Sequence, residues 1–239
     1  MSSSAASRDD AAPSASRDDD APPSMANSAL LRELPVTERG LRTRASLIAA
    51  ARTVFERAGY LDSRLIDITR EAKCSSGTFY TYFAGKDEIF AAVLEQAQED
   101  MMHPGMPHVD ADDDPVAIIS ASNRAYLEAY RRNARLMALL EQVAHIDPEF
   151  RKLRQERADA FVRRNARSIA DLQKRGLADR SLDPLLASRA LSGMISRLGF
   201  SYFVSEPTTH GDEQLASFDE LVATANRLWV NALRLSTAD

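Results

Sequence analysis

The chain holds one cysteine, Cys74, in 239 residues, so no disulfide can form within it. A lone thiol suits a reducing compartment, and a cytoplasmic location is the expectation. No apolar run approaches the ~18 residues of a membrane span. The N-terminus lacks the basic-then-apolar order of a secretion signal, and no membrane partner is expected. Histidine occurs four times. There is no Gly-x-Ser-x-Gly, no His-Glu-x-x-His and no glycine loop able to cradle a phosphate. These absences argue against an enzyme: no catalytic residue, metal site or cofactor is assigned. Period-two alternation of useful length is missing too, which leaves an all-α fold.

What is present is ordinary in amount and uneven in placement. Hydrophobic residues make up 44% and charged residues 27% of the chain, as in soluble globular proteins. The formal net charge of −5 runs against nucleic-acid binding if read as a sum. Much of the acid, however, sits around Asp9, Asp10 and Asp18–Asp20 and in Asp110–Asp114. Between them lie Arg39, Arg42, Arg44, Arg52, Arg57, Arg64, Arg70, Lys73 and Lys86. A local basic face is compatible with an acidic total because salt screens charge beyond roughly 10 Å. The Ser-, Ala-, Asp- and Pro-rich N-terminus, residues 1–36, repeats Ala-Ser-Arg-Asp-Asp at 6–10 and 15–19. Such a composition buries too little apolar surface to offset ordering entropy, so this segment is read as a disordered acidic tail.

Helical periodicity begins at Glu38, with Thr37 as candidate N-cap. Leu41, Ala45, Ile48, Ala51 and Phe55 form a stripe, widened by Leu47 and Val54, and Gly59 ends it. A short helix is predicted over Leu65–Ala72, a break at Lys73-Cys74-Ser75, and a second short helix from Ser76 to about Phe83. A longer helix starts at Lys86 and runs past Met101. Residues 103–115 read as a loop. Further helices are predicted over Pro115–Arg132, Arg135–His145, Pro148–Arg175, Pro184 to about Val204, and Leu215–Leu235. Asp147-Pro148 and Asp183-Pro184 are start signals and Gly176 is a stop. The expected division is a tail (1–36), a small head (37–86) and a larger helical domain (87–239).

Two short helices joined by a tight break and braced by a longer one are the parts of a helix-turn-helix, whose second helix fits the major groove. Phe79 and Phe83, one turn apart, would anchor that helix. Ser75, Ser76, Thr78, Tyr80, Thr81 and Tyr82 supply hydroxyls for phosphate or base edges. Gly77 permits close approach of backbone to DNA. Lys86 lies at a helix start, where ammonium and backbone N–H groups together suit a phosphate. Arg44, and the pair Ser63-Arg64 ahead of the second helix, complete the candidate DNA-binding set.

Residues 44–93 resemble the N-terminal domain of TetR-family regulators. The likeness rests on Phe55-Glu56-Arg57-Ala58-Gly59-Tyr60, on Asp67-Ile68, and on the ungapped string from Ser75 through Thr78, Tyr80, Tyr82-Phe83 and Lys86 to Ile89. It implies a two-fold dimer on a palindromic operator and a small-molecule effector bound in the C-terminal domain. Three positions depart from the family pattern. Arg64 stands where Ser or Thr caps the second helix, Thr69 where Ala is usual, and Lys73 where Gly makes the turn. If Lys73 is left-handed, the cost is about 1 kcal/mol.

The effector pocket implied by the resemblance would draw on Tyr126, Tyr130, Met137, Phe161, Met194, Phe200 and Tyr202. Basic residues are dense along these helices (Arg131, Arg132, Arg135, Arg151, Lys152, Arg154, Arg157, Arg163 and Arg164); most read as solvated faces, and a few would suit an anionic ligand such as an acyl-CoA. The family analogy puts the dimer face on the last two helices, with Leu191, Ile195, Leu198, Leu221, Leu228 and Trp229. Cys74 reads as a structural thiol in the turn, the sharper alternative being a redox switch. His103, His108 and the acidic run match no zinc spacing. The reading is therefore a ligand-responsive repressor; the alternative is a dimeric small-molecule carrier with a vestigial DNA head.

Overall fold

The computed structural model describes residues 35–102, 114–205 and 216–235. The N-terminal tail to residue 34, the loop with His103, His108 and Asp110–Asp113, and the connection at 206–215 lie outside the described residues. Among those described, nine helices and no strand occur: α1 Glu38–Asp62, α2 Leu65–Glu71, α3 Ser76–Tyr82, α4 Lys86–Met102, α5 Pro115–Arg132, α6 Ala134–Ile146, α7 Pro148–Lys174, α8 Pro184–Phe203 and α9 Phe218–Leu233. The fold is all-α.

Local chemistry sets most of these boundaries. Thr37 caps α1 by accepting from Gly40 N at 3.1 Å. Asp114, Asp147 and Asp183 cap α5, α7 and α8, each with proline in the first turn, where the missing N–H would have had no partner anyway. Ser217 and Glu220 form a reciprocal capping box on α9. Gly59 interrupts α1 with φ 78° and ψ 171°, so the three residues after it form a separate terminal turn. Gly176, at φ 77°, reverses the chain after α7.

The α1 stripe is used differently from its periodicity. Apart from Gly40, which packs against Pro35, burial begins at Leu47 and continues through Ile48, Ala51, Val54 and Phe55, whereas Leu41 is 45% exposed and Ala45 is open. Leu41 and Ala45 thus lie outside the apolar cluster that takes up the rest of the stripe. Behind Leu47, one apolar cluster runs from α1–α3 through Ile89, Phe90 and Leu94 of α4 into Leu136, Leu140 and Phe150. The packing therefore does not part at residue 86; α1 touches both α4 and α6.

Two further clusters organise the distal half. Leu127, Ile195, Leu221, Val222 and Ala225 join α5, α8 and α9. Ile169, Leu191, Trp229 and Leu233 join α7, α8 and α9. The helix faces assigned above to a dimer seam are thus consumed within the chain. Leu191, Ile195, Leu221 and Trp229 are buried, Leu198 is half-buried, and Leu228 alone of the six is open, at 45%. An amphipathic stripe shows that a face is covered; here α5 and α7 cover the inward side of α8 and α9.

Candidate functional site

α3 stands on an aromatic footing. Phe79 and Phe83 are fully buried, their rings 5.7 Å apart. This turns the opposite face outward, and Ser76, Gly77, Tyr80 and Thr81 are exposed while Thr78 and Tyr82 are half-buried. Ser75 caps the helix by accepting from Thr78 N at 3.1 Å, and its hydroxyl also meets that of Thr78 at 3.0 Å. Thr81 donates to Gly77 O at 3.1 Å, which leaves its oxygen free to accept. A Cβ built on Gly77 would meet nothing closer than Ser75 Oγ at 3.6 Å. Nothing among the described residues, therefore, requires glycine there.

The turn before α3 carries Lys73 at φ 53°, a left-handed residue with an exposed ammonium. Cys74 packs half-buried against the core, and burial pushes its thiol up, away from the reactive thiolate. Arg64 opens α2 with no side-chain cap and is exposed. Arg44 lies with its guanidinium 5.2 Å from the Phe83 ring centre, at the edge of the same surface. Of the other cations nearby, Arg42 pairs with Glu38, Arg57 with Glu71 and Arg70 with Asp67.

Two residues assigned to DNA point elsewhere. Ser63 is buried and donates to Tyr60 O at 2.8 Å. The Lys86 ammonium donates to Tyr60 O at 2.9 Å, Ser63 O at 3.2 Å and Leu61 O at 3.4 Å, and sits 4.6 Å from the Tyr60 ring centre. These carbonyls end α1, where the helix leaves acceptors without partners. Lys86 is a clamp from α4 onto the end of α1, and its hydrogens face the protein rather than solvent. Tyr60 in turn donates to Asp87, and burial together with that bond drives its pKa upward. Glu88, also buried, accepts from Ala84 N and closes the α3–α4 turn. None of this was visible in the residue string, where a lysine at a helix start reads as a phosphate ligand.

The distal half contains two cavities that share Tyr126 and Phe161, whose ring centres are 5.8 Å apart. The larger, about 450 Å³, lies between α4, α5, α6, α7 and α8 and includes Met101, Tyr130, Met137, Leu140, Arg154, Arg157 and Ser196. Four arginines line it against two carboxylates. Arg154 pairs with Glu141, Arg189 with Asp159, and Arg151 donates to the carbonyls of Ala144 and His145. Burial pushes the Arg157 guanidinium down to about 10, against the attraction of Tyr126 and Glu99. Burial raises Tyr126 despite its hydrogen bond with Ser196 and the nearby Arg157. The smaller cavity, about 300 Å³, lies among α5, α7, α8 and α9, with Asn123, Asn165, Ile169 and Trp229 in its wall. Tyr126, Tyr130, Met137 and Phe161 are therefore brought to cavities. Met194, Phe200 and Tyr202 instead pack against the apolar clusters. The indole of Trp229, assigned above to a dimer face, lines the smaller cavity.

Among the described residues no group of three or more metal-ligating side chains assembles, and no helix is long and apolar enough to cross a membrane.

Comparison with known proteins places residues 47–93 under the family model described as bacterial regulatory proteins, tetR family. The transcriptional regulator HbdR of Aromatoleum sp. (strain CIB) is 29% identical over 106 residues, 40% of this chain and 46% of that one. The uncharacterised regulator YfiR of Bacillus subtilis (strain 168) is 25% identical over 138 residues, 54% of this chain and 64% of that one. The matches thus span less than two thirds of either relative. Among solved structures, Salmonella enterica GusR superposes with a TM-score of 0.62 at 18% identity, covering 83% of this chain and 98% of that one. That superposition extends the shared fold through the distal helices. The tetR-family sequence signature thus lies on the head, from α1 into α4, and the likeness to solved structures carries the same fold through the distal helices.

Proposed function

We propose that this chain is a ligand-responsive transcriptional repressor that binds a palindromic operator as a dimer. The observation that carries the reading is the exposed α3 face with Gly77 at its centre. Ser76, Thr78, Tyr80, Thr81 and Tyr82 surround a position where the fold itself would accept a side chain. The absence of one there is what close approach to a sugar-phosphate backbone calls for. Ser75 holds the start of that helix, while Arg64, Lys73 and Arg44 supply charge at its flank. Lys86 and Ser63 act behind it, fixing the end of α1. Two copies would meet on the outward sides of α8 and α9, around Leu228 and Leu198, spacing two reading helices one DNA turn apart.

The larger cavity would hold the effector, an amphipathic molecule with an anionic end toward Arg157 and an apolar body toward Met137 and Leu140. Its volume falls within the ~300–1,000 Å³ usual for ligand pockets. An effector that binds one arrangement of the heads better than another shifts the population by that difference alone.

Selection from a random duplex pool tests the reading. The expected result is enrichment of an inverted repeat, with Gly77→Ala lowering affinity roughly tenfold or more while the melting temperature stays put. No enrichment, or full affinity in Gly77→Ala, would favour a small-molecule carrier with an idle head.

A further inference from the structure

The smaller cavity holds a hydrogen-bond donor with nothing to donate to. Trp229 is 6% exposed and lines this space, and its Nε1 has no acceptor within reach. Among the described residues one other buried side-chain atom shares that condition, Asn133 Oδ1 at the α5–α6 junction, and it lines neither cavity. A buried indole N–H without an acceptor costs about 1–3 kcal/mol, and native proteins rarely leave such a group unanswered.

The surroundings specify what would answer it. Asn123 and Asn165 line the same space, but their amide nitrogens are engaged, with Asn226 Oδ1 at 2.9 Å and Ser192 Oγ at 3.1 Å. Ile169 and Ile195 are buried in the wall and Phe161 closes one side. The charged residues, Asp171 and Arg175, are exposed at the rim. An ionic group would therefore find no cation in the interior, unlike in the arginine-lined cavity beyond Tyr126. We infer that the smaller cavity is a binding site for an uncharged, largely apolar molecule whose carbonyl or ether oxygen accepts from Trp229 Nε1. It is a second site, chemically distinct from the arginine-lined one, and it extends the effector reading of this half of the chain.

Trp229 is the chain's one tryptophan, so its indole gives a single side-chain N–H resonance that reports on this cavity alone. The full chain, labelled with nitrogen-15, is titrated with acetophenone and with α-methylstyrene, which replaces C=O by C=CH₂ at nearly constant shape. The ketone should move the indole proton downfield and bind roughly tenfold tighter than the alkene. In Trp229→Phe, followed by calorimetry, that preference should fall to about twofold or less. An indole resonance unmoved by the ketone, or a preference that persists in Trp229→Phe, overturns the assignment. The wild-type titration decides the matter even if the variant fails to fold. No DNA enters the experiment, so failure of operator binding would refute the regulator reading without touching this one.

Discussion

Replacing Lys86 by methionine separates two roles that a lysine at this position can have. The ammonium serves the carbonyls of Tyr60, Leu61 and Ser63 and lies over the Tyr60 ring. Methionine keeps the stem and removes every one of those interactions. A charge-assisted hydrogen bond is worth about 1.5–3 kcal/mol net, and three acceptors sharing one half-exposed ammonium count for little more than one bond. The cation over the ring adds about 0.5–1 kcal/mol. The expected loss is therefore about 2–3 kcal/mol, which for a chain of this size lowers the melting temperature by roughly 5–10 °C. Urea and thermal unfolding followed by circular dichroism measure it. Because the hydrogens face inward, the salt dependence of DNA affinity should keep its slope. Unchanged stability with a slope reduced by about 1 is what a phosphate ligand would give, and it would refute the clamp.

Two backbone substitutions should move stability in opposite directions. Lys73→Gly relieves a left-handed conformation at φ 53° and should raise the unfolding free energy by about 0.5–1 kcal/mol, read from the urea midpoint at constant m. Gly59→Ala places a Cβ on φ 78° and ψ 171°, a region kept for glycine, and should cost about 1–3 kcal/mol by the same measurement.

Which parts of this molecule could be read from its residues follows from the range of the forces involved. Helix ends were legible because caps are local. Asp147-Pro148, Asp183-Pro184, Gly59 and Gly176 act within a turn of themselves, and each stands where its chemistry predicts. The footing of α3 was legible for the same reason, since Phe79 and Phe83 lie one turn apart. What covers a helix face is a long-range matter. Leu191, Ile195, Leu221 and Trp229 announce a buried stripe equally well whether α5 and α7 or a second copy lies over it, and Leu41 announces one that stays 45% exposed. Lys86 was misread because its acceptors come from residues 60, 61 and 63, brought to it only by the fold. The orphaned indole of Trp229 was invisible for a related reason: a missing partner is a property of space, not of spacing.

The clamp at Lys86 has a mechanical side. α4 begins with that ammonium on the end of α1 and, in its last turn, Met101 lines the arginine-rich cavity. A helix of 17 residues is about 25 Å long. A tilt of about 5° around its middle carries each end through roughly 1 Å. At the Lys86 end such a displacement would strain the hydrogen bonds to three carbonyls of α1 and its C-cap. α4 thus joins two places in the fold: one end reaches the arginine-rich cavity and the other is fastened to α1. How far a load at the cavity end would reach α1 depends on the tightness of that fastening.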